Sequence, residues 1–129
     1  MAYFPKDLSD FKPEEINELA YGEGKKYVQG KIKTNQIRNI FSTVEKMRSD
    51  FKRNNFQMNE EIRRELVMLR PKLAYAAGRH KVVRPFQELF DEAIKNVLSS
   101  KKPSEALKNF FFLAEAIVAY HKYFGGKDN

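Results

Sequence analysis

The stretch that decides the fold is residues 34–53, which read TNQIRNIFSTVEKMRSDFKR. Its large apolar residues recur every three or four positions and therefore share one side of an α-helix. They are Ile37, Ile40, Phe41, Val44, Met47 and Phe51. Thr34 is a residue type that favours a helix N-cap, and the asparagines that follow Arg53 indicate a loop. We predict one long helix with a single buried face.

Outward from this helix, the chain keeps the same helical spacing, and proline and glycine divide it into helix-sized segments. Further helices are predicted over about residues 13–29, from Asn59 as N-cap onward, over about 84–98 and over about 103–124. No stretch alternates in the way that β-strands do. The prediction is an all-α fold, a compact bundle of about five helices. Gly22 and Gly24 weaken the first helix, so we expect bending or fraying there.

Composition points to one globular unit. A chain of 129 residues with 42% hydrophobic and 32% charged residues is long enough for one core and too short for two. The absence of cysteine excludes disulfides, thiolate catalysis and Cys-based zinc sites. The sequence shows neither a membrane span nor a signal peptide, so we expect a cytoplasmic protein without a membrane partner. We expect a single helical domain over residues 1–129, with an N-terminal arm (1–12) and a C-terminal tail (125–129).

Residues 69–81, LRPKLAYAAGRHK, combine small residues with cationic ones. Pro71 predicts a kink or a break in the third helix, and Gly78 suits a left-handed cap at the end of a short helix. The three alanines, Ala74, Ala76 and Ala77, predict a seam that another helix can approach closely. The cations around them would form the rim of this seam.

The excess of positive over negative charge is confined to the middle of the chain. Residues 31–84 hold 14 Lys/Arg against 5 Asp/Glu, whereas residues 1–30 hold 4 against 6 and residues 85–129 hold 6 of each. The whole net charge of +7 therefore comes from the central block. Such a block indicates a polyanionic partner, and the alternative is a solvated helix surface that happens to be basic.

The sequence contains little that suggests catalysis. His121 lies on the apolar stripe of the last helix, which favours a packed role, and His80 has no titratable partner nearby in sequence. Pairs of carboxylates occur near helix starts, where free backbone amides stabilise them, and they lack metal-site spacing. We predict no enzyme activity, no catalytic residue, no metal and no cofactor.

Three pieces of the chain together resemble a known family. They are TNQIRNIF at residues 34–41, LRPKLAYAAGR at 69–79 and FLAEAIVAYHK at 112–122. In this order and spacing they resemble the small subunit of the type III-A CRISPR effector, the Csm complex, over about residues 31–126. The resemblance implies a non-catalytic helical protein of antiviral defence. It also implies that several copies stack in the inner filament and contact the backbones of guide RNA and target RNA.

The basic block and this resemblance together select candidate RNA-binding residues. They are Arg38, Arg48, Lys52, Arg53, Arg70, Lys72, Arg79 and Lys81, and the wider set adds Lys31, Lys33, Arg63 and Arg84. Gln36 and Tyr75 are expected to be structural. The expected partners are guide RNA, target RNA and the other Csm subunits, with self-association. The alternative is a helical dimerisation module whose basic block binds an acidic protein and not RNA.

Overall fold

A computed structural model describes residues 3–129, and 79% of these residues are helical. The helices are α1 (Pro13–Gln29), α2 (Thr34–Arg53), α3 (Glu60–Arg79), α4 (Arg84–Ser99) and α5 (Pro103–Tyr123). Short 3₁₀ helices lie at Leu8–Asp10 and Lys81–Val83. The described residues contain no β-strand, so the predicted all-α bundle of about five helices is confirmed. Across residues 3–129, every helix is too short or too polar to span a bilayer.

The directions in which the helices run determine which helix termini lie together at each end of the bundle. α5 is central and packs against α1, α2 and α4. α1 runs parallel to α5: the Asn109 side chain donates to the Leu8 carbonyl at 2.8 Å, and Gly24 packs on Tyr120 further along both helices. α2, α3 and α4 are antiparallel neighbours joined by short loops. The C-termini of α1, α3 and α5 therefore lie at the same end as the N-termini of α2 and α4.

One continuous hydrophobic core runs through the bundle. The buried residues of α2 are Ile37, Ile40, Val44, Met47 and Phe51. They confirm the predicted face, while Phe41 is half-buried and packs edge-on against Phe86 and Phe90. His121 is also buried, and its Nε2 lies 2.8 Å from the carbonyl of Ile32. The packed role predicted for His121 is confirmed.

The two predicted N-caps have different outcomes. Asn59 caps α3 as predicted, since its Oδ1 accepts from the Ile62 N–H at 2.8 Å. The prediction for Thr34 is wrong, because Thr34 is the first residue of α2 and Lys33 is the N-cap. The side chain of Gln36 reaches back and accepts from the Lys33 N–H at 2.9 Å. Gln36 therefore has the structural role expected of it.

The residues after α5 fold back onto the start of α2. The amides of Thr34 and Asn35 donate to the carbonyls of Lys127 and Asp128 at 2.8 and 3.0 Å. Gly125 has a φ of +91°, a left-handed conformation that glycine adopts without steric cost and that turns the chain after the helix. These bonds satisfy amides that a helix start leaves free. The division of the chain into an arm, one domain and a tail stays a prediction.

Pro71 lies inside a continuous α3, so of the two predicted alternatives the break is wrong, and the kink stays a prediction. A proline in a helix interior costs about 3 kcal/mol, whereas each large apolar side chain that is fully buried contributes about 1.5–3 kcal/mol. Leu69 and Leu73 are fully buried on either side of Pro71 and hold both halves of the helix on the core. The predicted cap at Gly78 is also wrong, because α3 continues to Arg79.

The predicted alanine seam in residues 69–81 is wrong as well. Only Ala77 of the three alanines is buried; Ala76 is half-buried and Ala74 faces solvent. A Cβ added to Gly78 would meet no atom within 4 Å. The packing face of α3 consists instead of its leucines together with Ile62 and Ala77.

Gly24 of α1 lies at a close contact between α1 and α5. A Cβ at this position would lie 2.6 Å from the Cβ of Tyr120 and 3.0 Å from the backbone nitrogen of His121. Gly22, two residues earlier, has nothing within 4 Å of such a Cβ. α1 is nevertheless continuous through both glycines, so of the two predicted alternatives fraying is wrong, and bending stays a prediction. Packing against α5 outweighs the weak helix propensity of glycine.

We predict that Gly24→Ala destabilises the protein by about 1–3 kcal/mol, because the added methyl group overpacks the contact with α5. Gly22→Ala is the matched control and should stabilise the protein by about 0.5–1 kcal/mol, since only helix propensity changes. Urea denaturation followed by circular dichroism measures both values. Equal effects of the two substitutions would contradict the close α1–α5 contact.

Side chains of α4 and the following loop anchor the segment before α1. The Asn96 side chain donates to the carbonyls of Pro5 and Lys6 and accepts from the Leu8 N–H. The carboxylate of Asp7 accepts from the Ser100 hydroxyl and from backbone amides that include that of Ser9 at 2.9 Å. The hydrogen bond from Ser100 is the main cause that lowers the pKa of Asp7 from 3.8 to about 2.

This depressed pKa predicts a pH dependence. Because the pKa of Asp7 is lower in the folded than in the unfolded state, its contribution to stability is complete above about pH 4 and is lost as the pH falls towards 2. Ser100→Ala should raise the pKa of Asp7 towards 3.8 and reduce the stability that is lost at low pH. Ser99→Ala is the control, since its hydroxyl donates to the Asn96 carbonyl. An NMR titration of the Asp7 carboxyl that returned one pKa for both variants would contradict the assignment.

Candidate nucleic-acid interface

The fold collects positive charge in one half of the bundle. Cutting each helix at its midpoint defines a basic half, which is residues 21–43, 70–91 and 113–129. This half holds 12 Lys/Arg against 5 Asp/Glu, and the remaining half holds 12 of each. The whole net charge of +7 therefore lies in the half that contains the C-termini of α1, α3 and α5. The central block of the sequence contributes only part of this surface.

Most cations of the basic half make no ion pair within the described chain, and all of these are exposed. They are Lys25, Lys31, Lys33, Arg38, Lys72, Arg79, Lys81, Arg84 and Lys127. The ion pairs in this half join Lys26 to Glu23, Arg70 to Asp91 and Lys122 to Asp128. Exposed pairs of this kind contribute little to stability. The unpaired cations are free to meet an anionic ligand.

Five of the eight predicted RNA-binding residues belong to the basic half. Arg38, Lys72, Arg79 and Lys81 are exposed and make no ion pair among residues 3–129. Arg70 differs, because its Nε donates to the Asp91 carboxylate at 2.6 Å, a hydrogen bond that raises the pKa of Arg70. The charge of Arg70 is therefore largely neutralised across the α3–α4 contact.

The other three predicted residues lie towards the opposite end of α2. Arg48 pairs with Glu115 of α5 at 3.1 Å, and Arg53 pairs with Asp50. Lys52 is exposed and makes no ion pair with any described residue. At about 100° per residue, Lys52 and Arg53 also point in different directions around the helix. The structure does not bring the eight residues together in one surface.

An ion-pair network neutralises this region of α2. The Nζ of Lys46 lies 3.1 Å from carboxylate oxygens of both Glu65 on α3 and Asp50 on α2. Hydrogen bonding to Glu65, and then to Asp50, raises the pKa of Lys46. The hydrogen bond from Lys46 is the main cause that lowers the pKa of Asp50. The network joins α2 to α3 and leaves little net charge there.

Sequence reasoning missed Lys25 and Lys127 and left Lys31, Lys33 and Arg84 outside the selected set. Lys25 is near the end of α1 and Lys127 follows α5, far from each other in sequence. The signal that would have found them is the alternation of helix directions, which brings the α1–α2 loop, the α3–α4 loop and the C-terminal residues to one end. The described residues contain no cluster of three His, Asp or Glu side chains that could hold a metal ion.

Comparison with known proteins then identifies the family. The family model Csm2 Type III-A matches residues 10–127. The chain belongs to the Csm2 family of type III-A CRISPR systems. The match begins in front of α1 and so includes most of the N-terminal part, which the sequence resemblance had left aside. The chain is thus a small subunit of the type III-A Csm complex, as the resemblance implied.

Two curated relatives agree with this family. The CRISPR system Cms protein Csm2 of Streptococcus thermophilus is 34% identical over 98 residues, which cover 75% of this chain and 76% of that protein. The CRISPR system Cms protein Csm2 of Enterococcus italicus is 25% identical over 95 residues, which cover 72% of this chain and 68% of that protein. No solved structure matches the chain significantly.

Lys31 combines unpaired charge with backbone strain. It has a φ of +70°, a left-handed conformation that costs a non-glycine residue about 1–2 kcal/mol. We predict that Lys31→Gly stabilises the protein by about 0.5–1 kcal/mol and weakens its binding to RNA. Asn55→Gly is the control, because Asn55 has a φ of +58° at the opposite end of α2 and carries no charge. Asn55→Gly should stabilise the protein less than Lys31→Gly does, since asparagine tolerates this conformation.

Urea denaturation and RNA-binding anisotropy test both variants. If Lys31→Gly left RNA affinity unchanged, Lys31 would not belong to the interface.

Proposed function

We propose that this Csm subunit binds the sugar–phosphate backbone of guide and target RNA through its basic half. The observation that carries the proposal is the group of nine exposed cations in this half that make no ion pair within the described chain. Membership of the Csm2 family supports RNA as the polyanion, because the resemblance to this family implies a complex that carries a guide RNA. Of the predicted site residues, Arg38, Lys72, Arg79 and Lys81 are the strongest proposals for phosphate contacts.

Binding of this kind depends on charge and shape and carries no sequence information of its own. Contacts from lysine and arginine to phosphates release counterions, so affinity falls steeply with salt. Phosphate contacts position a protein on RNA, whereas contacts with base edges read the sequence. We propose a structural role without catalysis, in which the guide supplies specificity. A cytoplasmic location remains part of this proposal.

We also propose that α5 supplies a contact surface for other Csm subunits, including further copies of this chain. One side of α5 carries four residues spaced at i, i+4, i+7 and i+11, which are Phe112, Ala116, Ala119 and Tyr123. Ala116 is half-buried and the other three are exposed. Phe112 is 45% exposed and Tyr123 is 74% exposed. Aromatic residues on an accessible helix face are typical of protein interfaces. This surface favours stacking of subunits, and it is also what a dimerisation module would use.

Charge reversal tests the RNA-binding proposal. We expect Lys33→Glu, Arg38→Glu and Arg84→Glu together to lower affinity for a guide–target RNA duplex by at least about 100-fold and to flatten its salt dependence, because phosphate contacts are lost. The control is Lys101→Glu, Lys102→Glu and Lys108→Glu, an equal change of charge at exposed positions in the other half. Fluorescence anisotropy at low and moderate salt measures both variants.

Equal losses in the two triple variants would show that only overall charge matters and would contradict a defined interface. RNA binding that persisted in both variants, with loss of assembly in the first, would favour the acidic protein partner instead.

A further inference from the structure

Tyr75 is an exposed aromatic residue within the basic half. Its side chain was expected to be structural, yet it is 69% exposed on the outer face of α3. The phenol oxygen contacts only the Nη1 of Arg79, at 3.5 Å, among the described residues. A large aromatic ring exposed to water contributes little to the stability of the fold, because hydrophobic stabilisation comes from burial.

Cations flank the ring along the same face of α3. Lys72 precedes Tyr75 by three residues and Arg79 follows it by four, which places them about 4.5 and 6 Å away along the helix axis. The Nζ of Lys72 lies 3.1 Å from the Thr43 hydroxyl of α2, a neutral partner that leaves its charge intact. Neither cation makes an ion pair within residues 3–129. The ring therefore lies between two positive charges.

Along α3, the residues on either side of the ring include small ones and carry no negative charge. Ala74 and Gly78 are exposed neighbours, and a Cβ added to Gly78 would meet no atom within 4 Å. No Asp or Glu occurs from Leu66 to Gln87. The neighbouring positions of α3 therefore place no carboxylate beside the ring, and Ala74 and Gly78 leave room next to it for a planar ligand. Protein interfaces surround such an aromatic anchor with apolar groups, whereas here its flanks are cationic.

We propose that Tyr75, Lys72 and Arg79 form a binding site for one unpaired nucleotide. The base stacks on the ring of Tyr75, and the phosphates on its two sides meet Lys72 and Arg79. Stacking requires a base that is not already stacked within a helix, so this site selects single-stranded RNA over duplex RNA. This site rests on the proposed RNA binding by the basic half, and it specifies that this part of the surface binds single-stranded RNA.

The experiment compares single-stranded RNA with a duplex of the same length. Tyr75→Ala in the full chain should lower affinity for a 12-nucleotide single strand by about tenfold, the effect of losing one stacked base, and change duplex affinity less than about twofold. Tyr75→Phe keeps the ring and should match the unchanged protein on both ligands. Tyr3→Ala removes an exposed tyrosine outside the basic half and should leave both affinities unchanged.

A second measurement reports stacking directly. Photo-crosslinking of a single strand that contains 4-thiouridine should join RNA to the peptide that carries Tyr75, and Lys72→Gln with Arg79→Gln should weaken this crosslink. Equal losses of single-strand and duplex binding in Tyr75→Ala, or no loss in either, would overturn the stacking site. If the unchanged protein bound neither ligand in a salt-dependent way, the proposed RNA binding itself would be wrong.

Discussion

The contact of α1 with α5 is the constraint on which the rest of the bundle depends. Gly24 permits it, because a Cβ there would lie 2.6 Å from the Cβ of Tyr120. Since the two helices run parallel, the loop after α1 and the residues after α5 emerge at the same end. The buried His121 then contacts the carbonyl of Ile32, and residues 127–128 accept hydrogen bonds from the start of α2. One close helix contact thus determines which loops become neighbours.

The same arrangement separates paired from unpaired cations. Carboxylates at the starts of α1 and α3 lie in the half of the bundle where cations and acids are equal in number. There, Lys46 and Arg53 pair with acidic side chains of α2 and α3. The loops of the basic half lack such acids, so lysines and arginines remain free. Under the proposed function, a subunit with this distribution presents one end to a polyanion and keeps the exposed side of α5 for protein contacts.

The sequence predicts local features of this molecule well and contacts between distant residues poorly. The spacing in α2 and the N-cap at Asn59 depend on a few neighbouring residues, and both predictions are confirmed. The break at Pro71 was wrong because burial of the leucines around it outweighs the local cost. Arg48 pairs with Glu115 and Arg70 pairs with Asp91. Each pair joins two different helices, so the spacing of residues in the sequence does not predict it. For the same reason, the selected set of cations included residues whose charge is already neutralised.

Three helices, α1, α3 and α5, end in the basic half. Aligned peptide dipoles leave about half a negative charge at each helix C-terminus. The N-termini of α2 and α4 lie at the same end and carry about half a positive charge each, so these five helix ends together leave a net of about half a negative charge among the exposed cations. This small partial charge does not neutralise the cations, nine of which make no ion pair within the described chain. Under the proposed function, a phosphate that binds there has few ion pairs to break, so the cost of exchanging partners is low.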